Sequence, residues 1–170
     1  MTSRNQEPGT RNQVTGADAE ARGFRGLLAW QKADKLAVAV YRTLNALPRD
    51  HRWLAVQAMR AAISVPANIA EGYGRGSLGD YVRFLDIARG SLAEVEYYLQ
   101  FLEREALIPA SEAGRLQQLR HETGKLLHGL WKSLKQKARD GGWDRTGLVR
   151  EEQAPYVTDI APLEEDDAYS

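Results

Sequence analysis

Residues 57–77, QAMRAAISVPANIAEGYGRGS, constrain the fold more than any other stretch, because a helical pattern runs through a proline and then ends at a glycine-rich corner. At about 100° of rotation per residue, Leu54, Ala58, Ala61, Ala62, Val65 and Ile69 share one helix face. Arg60, Ser64, Asn68, Glu71 and Arg75 line up beside it as a polar stripe. Pro66 has no amide proton and frees the carbonyl of Ala62, so the pattern predicts a kink or break there unless Ser64 or another polar group compensates. Gly72, Gly74 and Gly76 then let the chain turn sharply, and Ser77 with Asp80 three residues on reads as the capped start of the next helix.

The helix so defined is one of four, and no strand pattern interrupts them. The first spans about residues 28–47 on a seam of Trp30, Ala33, Ala37, Val40, Leu44 and Leu47, and Pro48 stops it. The second covers about residues 50–70. The third covers 78–104 and carries two apolar stripes: a main seam including Leu85, Leu92, Leu99 and Leu102, and beside it Phe84, Ile87, Tyr98 and Phe101. The fourth, about residues 111–139, buries Leu116, Leu119, Thr123, Leu126, Leu127, Leu130 and Leu134. Short connections between helices of this length predict an all-α fold, an up-down-up-down antiparallel four-helix bundle over residues 24–140. The polar residues 1–23 and the glycine- and proline-containing residues 141–170 read as disordered tails, the second of them acidic.

Composition removes whole classes of chemistry. The chain has no cysteine, so disulfides, thiolate metal sites and cysteine nucleophiles are excluded, and its three histidines are widely separated. No apolar run approaches the roughly 20 residues that span a bilayer, and the first 25 residues lack the apolar centre of a signal peptide, which predicts a cytoplasmic protein without membrane contact. Formal net charge is zero but unevenly spread. Residues 27–137 hold 16 Lys and Arg against 11 Asp and Glu, whereas residues 138–170 hold 3 against 9.

Three segments carry a family resemblance: FRG and AWQKA at residues 24–26 and 29–33, RAAISVPANIAEGYGRGS at 60–77, and RFLDIARGSLAEVE at 83–96. Over about residues 24–137 the chain resembles the four-helix bundle proteins named for open reading frames in intervening sequences of 23S ribosomal RNA genes. That resemblance implies a small left-handed helical bundle that assembles into a ring, commonly a pentamer. The chain is also distantly similar to the accessory variability determinant of diversity-generating retroelements, a basic pentameric bundle that partners a reverse transcriptase and nucleic acid. Where the family often places two basic residues before a pair of alanines, this chain has Met59 and Arg60.

Two polar constellations are candidates for function. On the fourth helix His121, Lys125, His128, Lys132, Lys135 and Arg139 fall within about 80° of one another, opposite the leucine seam. Such a row either tracks phosphates over several turns or is the solvated back of an amphipathic helix. Trp131 beside it reads as a core or interface anchor in preference to a base-stacking platform, and His121 and His128, seven residues apart, are too distant along the axis to chelate one metal. On the second helix, Glu71 with Arg60 or Arg75, and Asn68 near the freed carbonyl, form either a partly buried structural network or the lining of a pocket. General acid–base work would need a second carboxylate or a histidine on a neighbouring turn, and none is there. The run of glycines follows a helix and lacks the Lys-Ser/Thr pair of a phosphate loop.

These readings predict a non-enzymatic homo-oligomer without cofactor or metal. Its partners are RNA, DNA or a nucleoprotein such as a reverse transcriptase, and the competing expectation is a scaffold for proteins alone. The interface between copies is expected at Ile63, Phe84, Ile87, Tyr98 and Phe101, since one bundle core cannot cover both stripes of the third helix. Asp159, Glu164, Glu165, Asp166 and Asp167 in the tail either compete with nucleic acid for the basic row or only solubilise the chain.

Overall fold

A computed structural model of the chain describes residues 23–141, so the expectations for the two tails, and for the acidic residues of the second, lie outside the described residues. Four helices account for nearly all of the rest: α1 (Leu28–Leu44), α2 (Arg52–Tyr73), α3 (Leu78–Arg104) and α4 (Ala110–Arg139). Single 3-10 turns at Phe24–Gly26 and Arg49–His51 precede α1 and α2. Each helix packs on its neighbours in sequence, and α4 closes the ring against α1. The pairings run in opposite directions. Thr43 on α1 bonds Glu112 on α4 while Lys32 bonds Glu122, 2.9 Å away. Ser64 on α2 meets Ser91 on α3, and Glu96 on α3 meets Arg120 on α4. This is the up-down-up-down bundle that the heptad-like spacing predicts.

The seams enclose one core. Leu36, Val40 and Leu44 from α1, Val65 and Ile69 from α2, Leu85, Val95, Leu99 and Leu102 from α3, and Leu116, Leu127 and Leu134 from α4 are all buried. Between them α1 and α2 place Ala33, Ala37, Ala55, Ala58, Ala61 and Ala62 at buried positions, so the helices approach on small side chains. Thr123, fully buried on α4, donates to the backbone carbonyls of Leu119 and Lys32 at 2.8 and 3.1 Å, a polar tie between α4 and α1.

Helix ends depart from the expected positions for identifiable reasons. α1 stops at Leu44, three residues early, and the chain closes into a turn ahead of Pro48 in which the Leu47 amide donates to Leu44 O at 3.1 Å. The Leu47 side chain packs against the core. α2 runs without interruption from Arg52 to Tyr73, so the break expected at Pro66 does not occur. Pro66 is buried, and the next turn is reinforced: the Asn68 amide donates to the Ser64 carbonyl at 2.7 Å and to its hydroxyl at 2.9 Å. α3 begins at the expected cap, with the Ser77 hydroxyl accepting the Asp80 amide proton at 3.1 Å and bonding the Asp80 carboxylate at 2.7 Å. α3 ends with Ala106 at φ 53°, the left-handed position that usually takes glycine, flanked by bonds from Ala106 N to Glu103 O and Leu107 N to Leu102 O.

The glycine corner works differently from the sequence expectation. Gly72 is helical and buried, Gly74 caps α2 at φ −75°, and among the described glycines only Gly141 has positive φ. What Gly72 supplies is close approach: a methyl group there would lie 2.7 Å from Tyr81 Cδ2 and 2.8 Å from Phe84 Cβ on α3. Tyr81 is itself buried, and burial followed by the neighbouring Tyr73 pushes its phenol well above the usual range.

Two predictions follow from this packing. Gly72→Ala should lower the melting temperature, because overpacking costs about 1–3 kcal/mol and exceeds the roughly 1 kcal/mol that alanine gains in a helix. An unchanged or higher melting temperature would show that α2 and α3 are not held this close. The second concerns acid. Bonds first from Arg115 and then from Thr43 hold the Glu112 carboxyl down to about 2, below its unfolded value of about 4.3. The folded-state pKa is depressed, so this stabilisation is complete above the unfolded value and is lost as pH falls through about 2. Glu112→Gln should therefore lose less stability than the parent chain between neutral pH and that acid range; identical acid melting curves would contradict it.

Candidate nucleic-acid interface

The polar stripe of α2 divides into two unconnected parts. Asn68, Ser64 and Ser91 form a half-buried relay: Asn68 Nδ2 donates to Ser64 Oγ at 2.9 Å, Ser64 and Ser91 hydroxyls are 2.9 Å apart, and Ser91 Oγ donates to Ile87 O at 3.1 Å. With one proton per hydroxyl, these bonds run in one direction and satisfy each other, which makes the relay a fastening between α2 and α3. Glu71 and Arg75 pair with each other four residues apart, but both side chains are about half exposed, and Arg60 is exposed as well. The expected partly buried Glu71–arginine network is therefore absent. An exposed pair of this kind contributes about 0.3–0.5 kcal/mol.

The expected interface residues also divide. Ile63 and Ile87 are exposed, Tyr98 and Phe101 are half-buried, and Phe84 is only 7% exposed. Phe84 is covered within the single chain because it lies opposite Gly72, and the Arg75 and Arg83 guanidinium groups stand 4.7 and 5.3 Å from its ring centroid. Its removal from the exposed set is a correction to the sequence reading. Beyond the expected set, the exposed large apolar side chains are Val38 and Tyr41 on α1, Trp53 and Val56 on α2, and Tyr97 on α3.

The basic row of α4 is where side chains converge. His121, Lys125, His128, Lys132 and Arg139 are exposed, and Lys135 is half-buried with its ammonium 4.3 Å from the Trp131 ring centroid. The first three open onto a groove of about 420 Å³ between α3 and α4. From α3 the groove receives Arg89, Leu92, Ala93 and Glu96; from α4 come Arg120, Gly124 and Leu127 with the three basic residues. Arg120 bonds Glu96 at 3.1 Å through Nη1, while its Nε is buried with no partner among the described residues. Arg89 pairs with Asp86 at 2.9 Å and also lies 4.3 Å from the Trp131 ring centroid. Trp131, bracketed by Arg89, Lys135 and the His128 ring, is an anchor packed against the core and not a free platform for a base. Lys132 and Arg139 are outside the groove.

Arg89, Glu96 and Arg120 are the residues that sequence reasoning missed. Arg120 immediately precedes His121 on α4 and its place beside the row was legible from helical rotation, whereas Arg89 and Glu96, seven residues apart on α3, could be placed beside the row only once the register of α3 against α4 was known. Among the described residues no group of three or more His, Asp or Glu side chains is arranged to hold a metal ion, and no helix is long and apolar enough to cross a membrane.

A helical bundle with a cationic inter-helix groove and no metal cluster among the described residues defines a class of small all-α proteins. The particular family follows from comparison. The 23S rRNA-intervening sequence protein family matches residues 25–129, and the chain belongs to it. Among solved structures, the chain is similar to a protein of unknown function from the S23 ribosomal protein family of Bacteroides thetaiotaomicron, with 26% identity and a TM-score of 0.58. That alignment covers 62% of this chain and 96% of the other. No curated protein matches the chain.

Proposed function

We propose that this protein is a non-enzymatic, self-associating bundle that binds RNA, alone or within a nucleoprotein, through the basic surface of α4 and the groove that α4 shares with α3. The observation that carries the reading is the convergence of Arg89, Arg120, His121, Lys125 and His128 on one groove that holds a single carboxylate, Glu96. A cluster of this sign releases counterions when it meets phosphates, and repeated around an oligomer its weak contacts gain avidity. The family name, which refers to intervening sequences of 23S rRNA, favours RNA as the polyanion.

Self-association is supported by the exposed apolar side chains. Trp53, Val56 and Ile63 are 65%, 43% and 53% exposed on the outward face of α2, and Tyr41 on α1 is 51% exposed. Large apolar side chains left this exposed support an interaction surface, since extended apolar patches on a monomer mark interaction sites. The interface between copies is assigned to these residues together with Ile87, and a ring of five remains the preferred closure on family grounds. A nucleoprotein such as a reverse transcriptase would be met through the same basic surface, and the site of action is the cytoplasm.

Two measurements test this. Static light scattering at micromolar concentration should give a mass that is a multiple of 19.0 kDa, and a monomer mass would reject self-association. Replacing Lys125, Lys132 and Lys135 together by Ala should weaken binding of unrelated RNA sequences equally and flatten the dependence of affinity on salt, because fewer counterions are released. An unchanged salt slope would show that this face of α4 is not the contact surface.

A further inference from the structure

We infer that the α3–α4 groove holds one unstacked nucleotide of a single-stranded RNA, with its base on the apolar floor and its phosphate on the cationic end, so that the protein prefers single strands to duplexes. This deepens the proposed function and rests on it.

The groove is not uniformly basic, and its chemistry changes along its length. Because α3 and α4 are antiparallel, Glu96 and Arg120 mark one end, Leu92 and Gly124 face each other in the middle, and Arg89 and His128 lie towards the other end. Apolar groups dominate the middle, where Ala93 and Leu127 join Leu92. A phosphate seated there would lose hydration without gaining a donor. A flat heteroaromatic ring would not, and a volume of about 420 Å³ falls within the roughly 300–1,000 Å³ typical of small-ligand sites. Gly124 keeps this middle section open. A methyl group there would meet Leu92 Cδ2 at 3.5 Å, ordinary contact, whereas a longer side chain would occupy the space.

The two ends then assign direction. Glu96 repels phosphate, so phosphate belongs towards the opposite end, with His128 and Arg89, the latter also paired to Asp86, and with Lys125 beside the middle section. At this end Arg120 is held on Glu96 through Nη1 with its Nε buried, so the group offered to the groove is the partly exposed Glu96 carboxylate, an acceptor. A carboxylate acceptor suits an amino group on the edge of a base and repels a phosphodiester. A duplex keeps those edges paired and its bases stacked, and presents only phosphates to such a groove. A single strand can rotate a base outward, which is how sequence-bearing edges of RNA reach proteins.

The test separates this inference from simple electrostatics. The probes are a short fluorescein-labelled single-stranded RNA of mixed sequence and the same strand annealed to its complement. Affinities are read by anisotropy across a salt series for the full chain and for Gly124→Ala and Gly124→Leu. The parent chain and Gly124→Ala should bind the single strand more tightly than the duplex. Gly124→Leu should lose about tenfold for the single strand, on the scale of one base contact, with duplex affinity and salt slope unchanged because no charge is removed. If Gly124→Leu fails to fold by circular dichroism, Ala93→Leu on the facing wall replaces it in the same assay. A well-folded groove-filling variant that binds the single strand as the parent does would overturn the inference while leaving the proposed function standing. Equal displacement of the RNA by poly-glutamate and by unlabelled single strand at matched charge would also overturn it, since the groove would then answer to charge alone. Failure of the parent chain to bind either probe would remove the proposed function and this inference together.

Discussion

The closeness of α2 to α3 is the constraint on which the remaining geometry depends. Gly72 leaves no room for a side chain against Tyr81 and Phe84, and the relay from Asn68 through Ser64 and Ser91 fastens the same two helices about two turns away. Two points of contact along one pair of helices define both their separation and their rotation. Once α3 is fixed in rotation, its two apolar stripes have unequal fates. The seam of Leu85, Leu92 and Leu99 enters the core, while Phe84 is covered at the α2 contact and Ile87 is left outside.

The rotation of α3 also decides what faces α4. Arg89 and Glu96 come to the edge of the α3–α4 contact, where Arg120 answers Glu96 and Trp131 receives the guanidinium of Arg89. α4 is held from its other side by ties to α1: Thr123 to the Lys32 carbonyl, Lys32 to Glu122, and Thr43 to Glu112. The carboxylates of α4 are thus used on the α1 side, which leaves its basic residues on the side of the groove. Charge that is balanced over the whole chain becomes locally cationic because the helices sort it.

Family membership and fold agree with this arrangement at different levels. The 23S rRNA-intervening sequence family match covers most of the helical region, and a solved relative at 26% identity has the same bundle. What separates one member from another in such a fold is the surface carried by the helices, and on this chain the concave part of that surface lies between α3 and α4.

The sequence by itself determined the number, order and approximate limits of the helices, because burial repeats every three or four residues and because Ser77 and the residues around Pro48 mark ends in local terms. It also determined that α4 carries a basic row, since residues on one helix face are related by rotation alone. Relations between helices were decided only in the tertiary structure. Pro66 was expected to kink or break α2 unless a polar group compensated; the helix runs through it unbroken, because a break is an energetic comparison between one lost backbone bond and all the packing that holds the flanking turns, and only the folded chain contains the second term. Glu71 was read as part of either a partly buried network or a pocket lining, yet the stripe it belongs to lies at the margin of the core, where Ser64 and Asn68 turn towards α3 and Glu71 turns to solvent. Gly72 looked like a turn residue and is a packing residue, a difference that depends on the distance to a helix ten residues on. The groove was illegible for the same reason: four of its ten lining residues come from α3, and the register of two antiparallel helices is set by packing between them and not by the periodicity within either one.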